Sequence, residues 1–174
     1  MPTNTDMPAC KSFIISLFIS LVLQVYFSSA HGQTPGSRSI LFDDDWRFFR
    51  GGAQGAENIS FDDSKWQHVD LPHDWSIEDL PGKSSPFSKD AISQVSGGFT
   101  TGGTGWYRKS FTLPSSSQNK RVLLQFEGVY MNSEIWLNGH SLGHHPYGYT
   151  SFWFDITPHL NANGKNLLAV KVKN

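Results

Sequence analysis

The sequence holds one cysteine, Cys10, and it lies within the first 30 residues. A chain that loses that segment keeps no thiol for a disulfide, a nucleophile or a metal ligand. Charge is sparse as well: 17% of the 174 residues are charged, and 14 basic against 15 acidic side chains leave a formal net charge of −1. That balance gives no electrostatic basis for binding nucleic acid or an anionic membrane, and a neutral ligand suits it better. The apolar run at 13–27 is about 15 residues long, short of the roughly 20 that span a bilayer. Past it no stretch keeps a helical period. No Gly-x-Ser-x-Gly elbow marks a serine hydrolase, and glutamate occurs only at Glu57, Glu78, Glu127 and Glu134.

What is present is turn chemistry and aromatic residues: 16 Gly, 9 Pro and 14% Phe, Trp and Tyr. Lys11, the apolar run and then Ser28-Ser29-Ala30 read as a secretory leader over 1–30, cleaved after Ala30, which places the mature protein outside the cytoplasm, secreted or periplasmic, with an uncleaved anchor as the other reading of the same segment. After such cleavage no segment is expected to hold it in the membrane. A polar linker, 31–39, follows, and 40–174 is long enough for one domain, though not for a sandwich plus a (β/α)₈ barrel of roughly 250 residues.

Within 40–174 short alternating runs are separated by turn residues, the period-two pattern of half-buried strands. Trp46-Arg47-Phe48-Phe49-Arg50 ends at Gly51-Gly52, and the run at 66–71 puts Val69 and Leu71 on one face before Pro72. The run at 106–113 sets Tyr107, Phe111 and Leu113 on one side. Val122, Leu124 and Phe126 oppose Leu123, Gln125 and Glu127. Asn138-Gly139 between alternating runs predicts a two-residue type I′ hairpin, because both turn positions need positive φ. Phe152, Phe154 and Ile156 share a face, and Asn161-Ala162-Asn163-Gly164 turns into Leu168, Val170 and Val172. About eight such strands predict an all-β fold, an antiparallel β-sandwich of jelly-roll, galactose-binding-like type. The long stretch 76–104, with two Gly-Gly pairs, reads as a loop of functional length.

The runs Asp62-Asp63-Ser64-Lys65-Trp66, Leu71-Pro72-His73-Asp74-Trp75, Gly105-Trp106-Tyr107-Arg108-Lys109, Phe126-Glu127-Gly128-Val129, Trp136-Leu137-Asn138-Gly139 and Tyr147-Gly148-Tyr149-Thr150-Ser151-Phe152 resemble, in order and spacing, the sugar-binding domain of family-two glycoside hydrolases. The second and third look most like the β-galactosidase branch. The resemblance implies a retaining β-glycosidase of several domains: this sandwich, an immunoglobulin-like domain and a barrel with two catalytic glutamates, acting on a β-galactoside-containing glycan without a cofactor. Retention needs two carboxyl groups about 5 Å apart. None of the four glutamates stands in the Asn-Glu dipeptide of the family's acid/base, so no catalytic residue is expected on this chain. The strand at 167–174 continues in the family into further sandwich segments, so the expectation is a domain truncated at its C-terminal end. The other reading of the same residues is a free-standing secreted carbohydrate-binding module; a non-functional remnant is the third.

The expected substrate-binding set is Asp74 with its neighbours His73 and Trp75. Family position implies that Asp74 reaches the sugar site, where a carboxylate accepts from sugar hydroxyls; an Asp after Pro is also a common turn cap. Trp75 is expected to touch sugar, while Trp46, Trp66, Trp106, Trp136 and Trp153 at strand positions are expected in the core. His140, His144 and His145 do not make a metal site: residues four apart on a strand lie about 13 Å apart, and His145 faces the other way. They read as surface or site-rim histidines. Asn58-Ile59-Ser60 is a glycosylation sequon, meaningful only in a eukaryotic secretory pathway.

Overall fold

The computed structural model describes residues 38–174. The expected leader, its cleavage after Ala30, Cys10 and most of the 31–39 linker lie outside the described residues. The chain divides into two compact units, Met1–Leu41 and Phe42–Asn174, and the architecture below is that of the second.

The described residues form eight strands: β1 (Trp46–Arg50), β2 (Gln67–Val69), β3 (Thr104–Phe111), β4 (Leu123–Phe126), β5 (Ser133–Leu137), β6 (His140–His145), β7 (Phe152–Asp155) and β8 (Asn166–Lys173). Six make one sheet in the order β2-β1-β3-β8-β5-β6, and β4 pairs with β7 in a second. Every pairing is antiparallel. Helical structure among them is confined to four three-residue 3₁₀ turns, as the turn-rich composition predicts. Asn138 and Gly139 both take positive φ, 51° and 81°, and close the β5–β6 hairpin as expected.

Alternation decides which side chains meet. Trp46 and Phe48 on β1, Tyr107 on β3, Ile135 on β5 and Leu168, Val170 and Val172 on β8 share a core face, and Leu124, Phe126, Phe152 and Phe154 of the small sheet pack against it. Each such aliphatic or aromatic side chain, removed from water, contributes roughly 1.5–3 kcal/mol before entropy is counted. The central strands β3 and β8 are buried on both faces. On the outer face Trp106 and Ala169 lie beneath Ala56, Phe61 and Trp66 of the segment between β1 and β2. Arg108, 2% exposed, fastens that segment: it donates to Asp63 at 2.7 Å and to the carbonyls of Ala56, Asn58 and Phe61.

Three expectations shift. Leu113 lies past the end of β3, and Trp66 precedes β2 rather than opening it. Trp153, expected in the core, is 59% exposed, because it points from the two-stranded sheet to the side opposite Phe152 and Phe154.

The antiparallel registers gather Arg50, Thr104, Ser133, His145 and Lys173 at one end of the large sheet. The segment after β2 returns to this end.

Candidate functional site

Val69 closes β2, and Pro72, which has no N–H for a ladder, follows it. The next three residues alternate between anchored and exposed. His73 is 11% exposed and uses both ring nitrogens: Nδ1 lies 2.8 Å from the Tyr107 hydroxyl and Nε2 2.9 Å from Glu78 Oε1. Its ring also meets the Phe48 ring edge-on, with centroids 4.6 Å apart. Trp75 is 4% exposed. Its indole lies over Gly103 and Gly105, where a side-chain carbon would come within 3.8 and 3.5 Å of the ring, and the Arg50 guanidinium sits 4.9 Å above it. Asp74, between these two, is exposed.

The carboxylate of Asp74 is divided in its use. Oδ1 caps the Trp75–Ile77 turn, accepting from the Ser76 N–H at 2.9 Å and the Ser76 hydroxyl at 2.6 Å. Oδ2 has no protein partner among the described residues and keeps its acceptor capacity for a ligand. Capping and ligand binding, alternatives in the sequence, are compatible at this residue because different oxygens serve them.

His73 and Trp75 do not fit the sugar-contacting roles expected of them. Trp75 presents no ring face to solvent, since Gly103, just before β3, and Gly105, on it, make room for the indole inside the core. His73 has no nitrogen left to donate to or accept from a sugar in this arrangement. Both hold the residue between them.

Other residues complete the support, and the sequence reading passed over them. Tyr107 is buried beneath His73, and burial, with the negative charges of Glu78 and Asp74 adding to it, raises its hydroxyl pKa well above the usual tyrosine value. Glu78 also accepts from Gln67 at 3.2 Å. Arg50 donates to the carbonyl of Trp75 at 3.2 Å and to the carbonyl and hydroxyl of Thr101 at 3.2 and 2.5 Å, tying the Asp74 turn to the close of the long 76–104 stretch. A charged residue ending a strand just before Gly51-Gly52 was the only sequence hint of this. The long stretch itself carries the 3₁₀ turn Val95–Gly97 and an isolated bridge between Phe87 and Thr100, and it exposes Ile92 almost completely.

The remaining candidates resolve elsewhere. His140 stacks on His159, and His145 stacks on Phe152 while bonding Thr150 at 3.1 Å. Among the described residues no group of three His, Cys, Asp or Glu is gathered to hold a metal ion. Glu134 pairs with Lys171 at 3.0 Å, and Glu78 is committed to His73. A cleft of about 680 Å³ opens at the other end of the sandwich, lined by Leu113, Lys120, Asp155 and Thr157. Its Arg121–Asp155 pair, 2.7 Å apart, binds two surface residues to each other, and the cleft is remote from Asp74 in the fold.

Comparison with known proteins bears on this geometry. Residues 42–174 match the description "Glycosyl hydrolases family 2, sugar binding domain". A β-galactosidase of Bacteroides ovatus is 45% identical over 84% of this chain, and a β-glucuronidase of Formosa agariphila is 34% identical over 76% of it. A solved structure of a glycosyl hydrolase family 2 member from Bacteroides cellulosilyticus superposes with a TM-score of 0.75 at 50% identity over 76% of this chain. The chain spans only 16%, 13% and 17% of those three proteins.

Proposed function

The chain belongs to family 2 of the glycoside hydrolases through its sugar-binding domain, and from that premise we propose that it is the non-catalytic front part of an exported β-galactosidase-type enzyme in which Asp74 forms part of the wall of the sugar site. The observation that carries the proposal is the placement of Asp74: an exposed carboxylate between two anchored neighbours, with one oxygen capping its own turn and the other without a partner among the described residues. An acceptor held in this way can take a hydrogen bond from a sugar hydroxyl without first being ordered, which is the advantage of preorganisation. The bond-breaking carboxylate pair of a retaining enzyme, about 5 Å apart, belongs in this reading to the barrel domain of the parent enzyme. An immunoglobulin-like domain is its other partner.

The choice of a β-galactoside over a β-glucuronide is supported by the likeness of Leu71-Pro72-His73-Asp74-Trp75 and Gly105-Trp106-Tyr107-Arg108-Lys109 to the β-galactosidase branch and by the 45% identity to the Bacteroides ovatus β-galactosidase. Export to a secreted or periplasmic location is supported by the leader pattern at 1–30. A jelly-roll winding is supported by the way the chain passes from the large sheet to β4, back to β5 and β6, across to β7 and back again to β8.

The test compares two proteins. A multidomain enzyme that carries this domain should hydrolyse nitrophenyl β-galactoside with a higher kcat/KM than nitrophenyl β-glucuronide, and the opposite preference would refute the galactoside assignment. Turnover by the purified 174-residue chain, abolished by changing one of its own glutamates, would refute the non-catalytic assignment.

A further inference from the structure

We propose that His73 is a positioning residue for Asp74, locked in place by donating from Nε2 to Glu78 and accepting at Nδ1 from the Tyr107 hydroxyl. The proposal rests on the reading of Asp74 as a sugar contact and says how that contact is kept in place. Glu78 Oε1, 2.9 Å from Nε2, is an acceptor and already takes the Gln67 amide N–H, so Nε2 must donate. At the other nitrogen the Tyr107 hydroxyl, 2.8 Å from Nδ1, has no second partner among the described residues. Tyr107 is buried, and its hydroxyl stays protonated because burial and the two nearby carboxylates oppose its ionisation. Its hydrogen therefore goes to Nδ1; were Nδ1 the donor, a buried O–H would be left without an acceptor, which folded proteins avoid.

The consequence falls on the adjacent residue. With both nitrogens engaged and the Phe48 ring against one side, His73 cannot rotate without breaking a bond to β3 or to Glu78. The carbonyl of Trp75 is held by Arg50 on the far side. Asp74 is thus spanned by two fixed points one residue away in each direction, and its cap on Ser76 forms on a backbone that is already set. Oδ2 then keeps its direction toward solvent.

Two readouts on the full isotopically labelled chain test this. Long-range ¹⁵N–¹H correlation spectra at neutral pH should report His73 with Nε2 protonated and Nδ1 bare; the Nδ1–H tautomer would overturn the proposal. Amide exchange at Ser76, whose N–H closes the Asp74 cap, should accelerate roughly twofold to tenfold in Tyr107→Phe and in Glu78→Ala, the range one hydrogen bond is worth. Glu78→Gln, whose amide oxygen still accepts, should stay within about twofold of wild type. Unchanged exchange in both disruptive variants would overturn the positioning role even if the tautomer is as stated. The sugar-contact reading fails separately: Asp74→Ala leaving kcat/KM unaltered in the multidomain enzyme would refute that reading and leave the His73 tautomer and exchange results standing.

Discussion

Replacing Asp74 by Ala removes two things, and the structure allows each to be sized. The first is the turn cap, in which Oδ1 holds the Ser76 N–H and hydroxyl. Caps of this kind are worth about 1 kcal/mol, and a domain of this size loses roughly 3–6 °C of Tm per kcal/mol. The second is the acceptor at Oδ2. A hydrogen bond from a sugar hydroxyl to a charged group contributes roughly 2–3 kcal/mol, so its loss should lower kcat/KM about 30-fold to 150-fold in the multidomain enzyme. Asp74→Asn separates the two. Its amide oxygen can take over the Ser76 bonds, which turns the NH₂ outward and replaces an acceptor by a donor. Tm should return to near the wild-type value, while kcat/KM recovers only in part. Thermal melts and steady-state kinetics on both variants make the comparison. Wild-type kcat/KM in Asp74→Ala, with Tm lowered by a few degrees, would refute the substrate role and leave Asp74 a capping residue only.

Two further outcomes follow from buried groups. Asp63→Ala should destabilise the domain by roughly 3 kcal/mol, the low end for breaking a buried pair, because Arg108 keeps its carbonyl partners; a denaturant melt with Asp63→Asn as the milder comparison checks this. Tyr107 has a folded pKa raised above its ordinary value of 10.0, so above about pH 10 the unfolded chain loses a proton that the folded chain keeps. Stability should therefore fall as pH climbs past 10; Tyr107→Phe should flatten that fall in urea melts between about pH 9 and 11, and an equally steep fall in the variant would refute the assignment.

Period-two alternation made most of the strands legible, since a residue's face follows from its parity once the strand exists; Tyr107 and Phe111, or Phe152 and Phe154, could be assigned inward without coordinates. The Asn138-Gly139 hairpin was legible for a different reason, a local demand for positive φ. Asp74 was legible as a position and not as a geometry: the order of residues cannot say that one oxygen caps while the other stays unused. The burial of Trp75 was not legible because it depends on a segment more than twenty-five residues away, where Gly103 and Gly105 leave space for an indole. The anchoring roles of Arg108 and His73 were not legible on the same ground, as polar residues inside a fold are satisfied by partners brought from distant segments, here 45 residues away for Asp63 and 34 for Tyr107. Trp153 erred the other way. Parity set it opposite Phe152, but among the described residues only the large sheet has a segment covering its second face.

That dependence on distant partners makes Arg50 the residue whose loss should spread furthest. Its guanidinium reaches the carbonyl of Trp75 and both oxygens of Thr101 from a single position at the end of β1, so the Asp74 turn and the closing part of the 76–104 stretch share one anchor. Arg50→Ala should therefore loosen two segments at once, at a cost of roughly 2–3 kcal/mol for the charged hydrogen bonds and the cation–π contact with Trp75. Arg50→Lys should recover little of it, because a single ammonium lacks the planar fork that serves two chain segments while lying over an indole. Amide exchange reads the coupling directly. The Ser76 N–H, bonded to Asp74, and the Gly103 N–H, bonded to Asn174, should both speed up in Arg50→Ala, whereas the β5–β6 hairpin should exchange as in wild type. Faster exchange at Ser76 with no change at Gly103 would mean that the two segments are held independently and that the long stretch is not fastened to the Asp74 turn through Arg50.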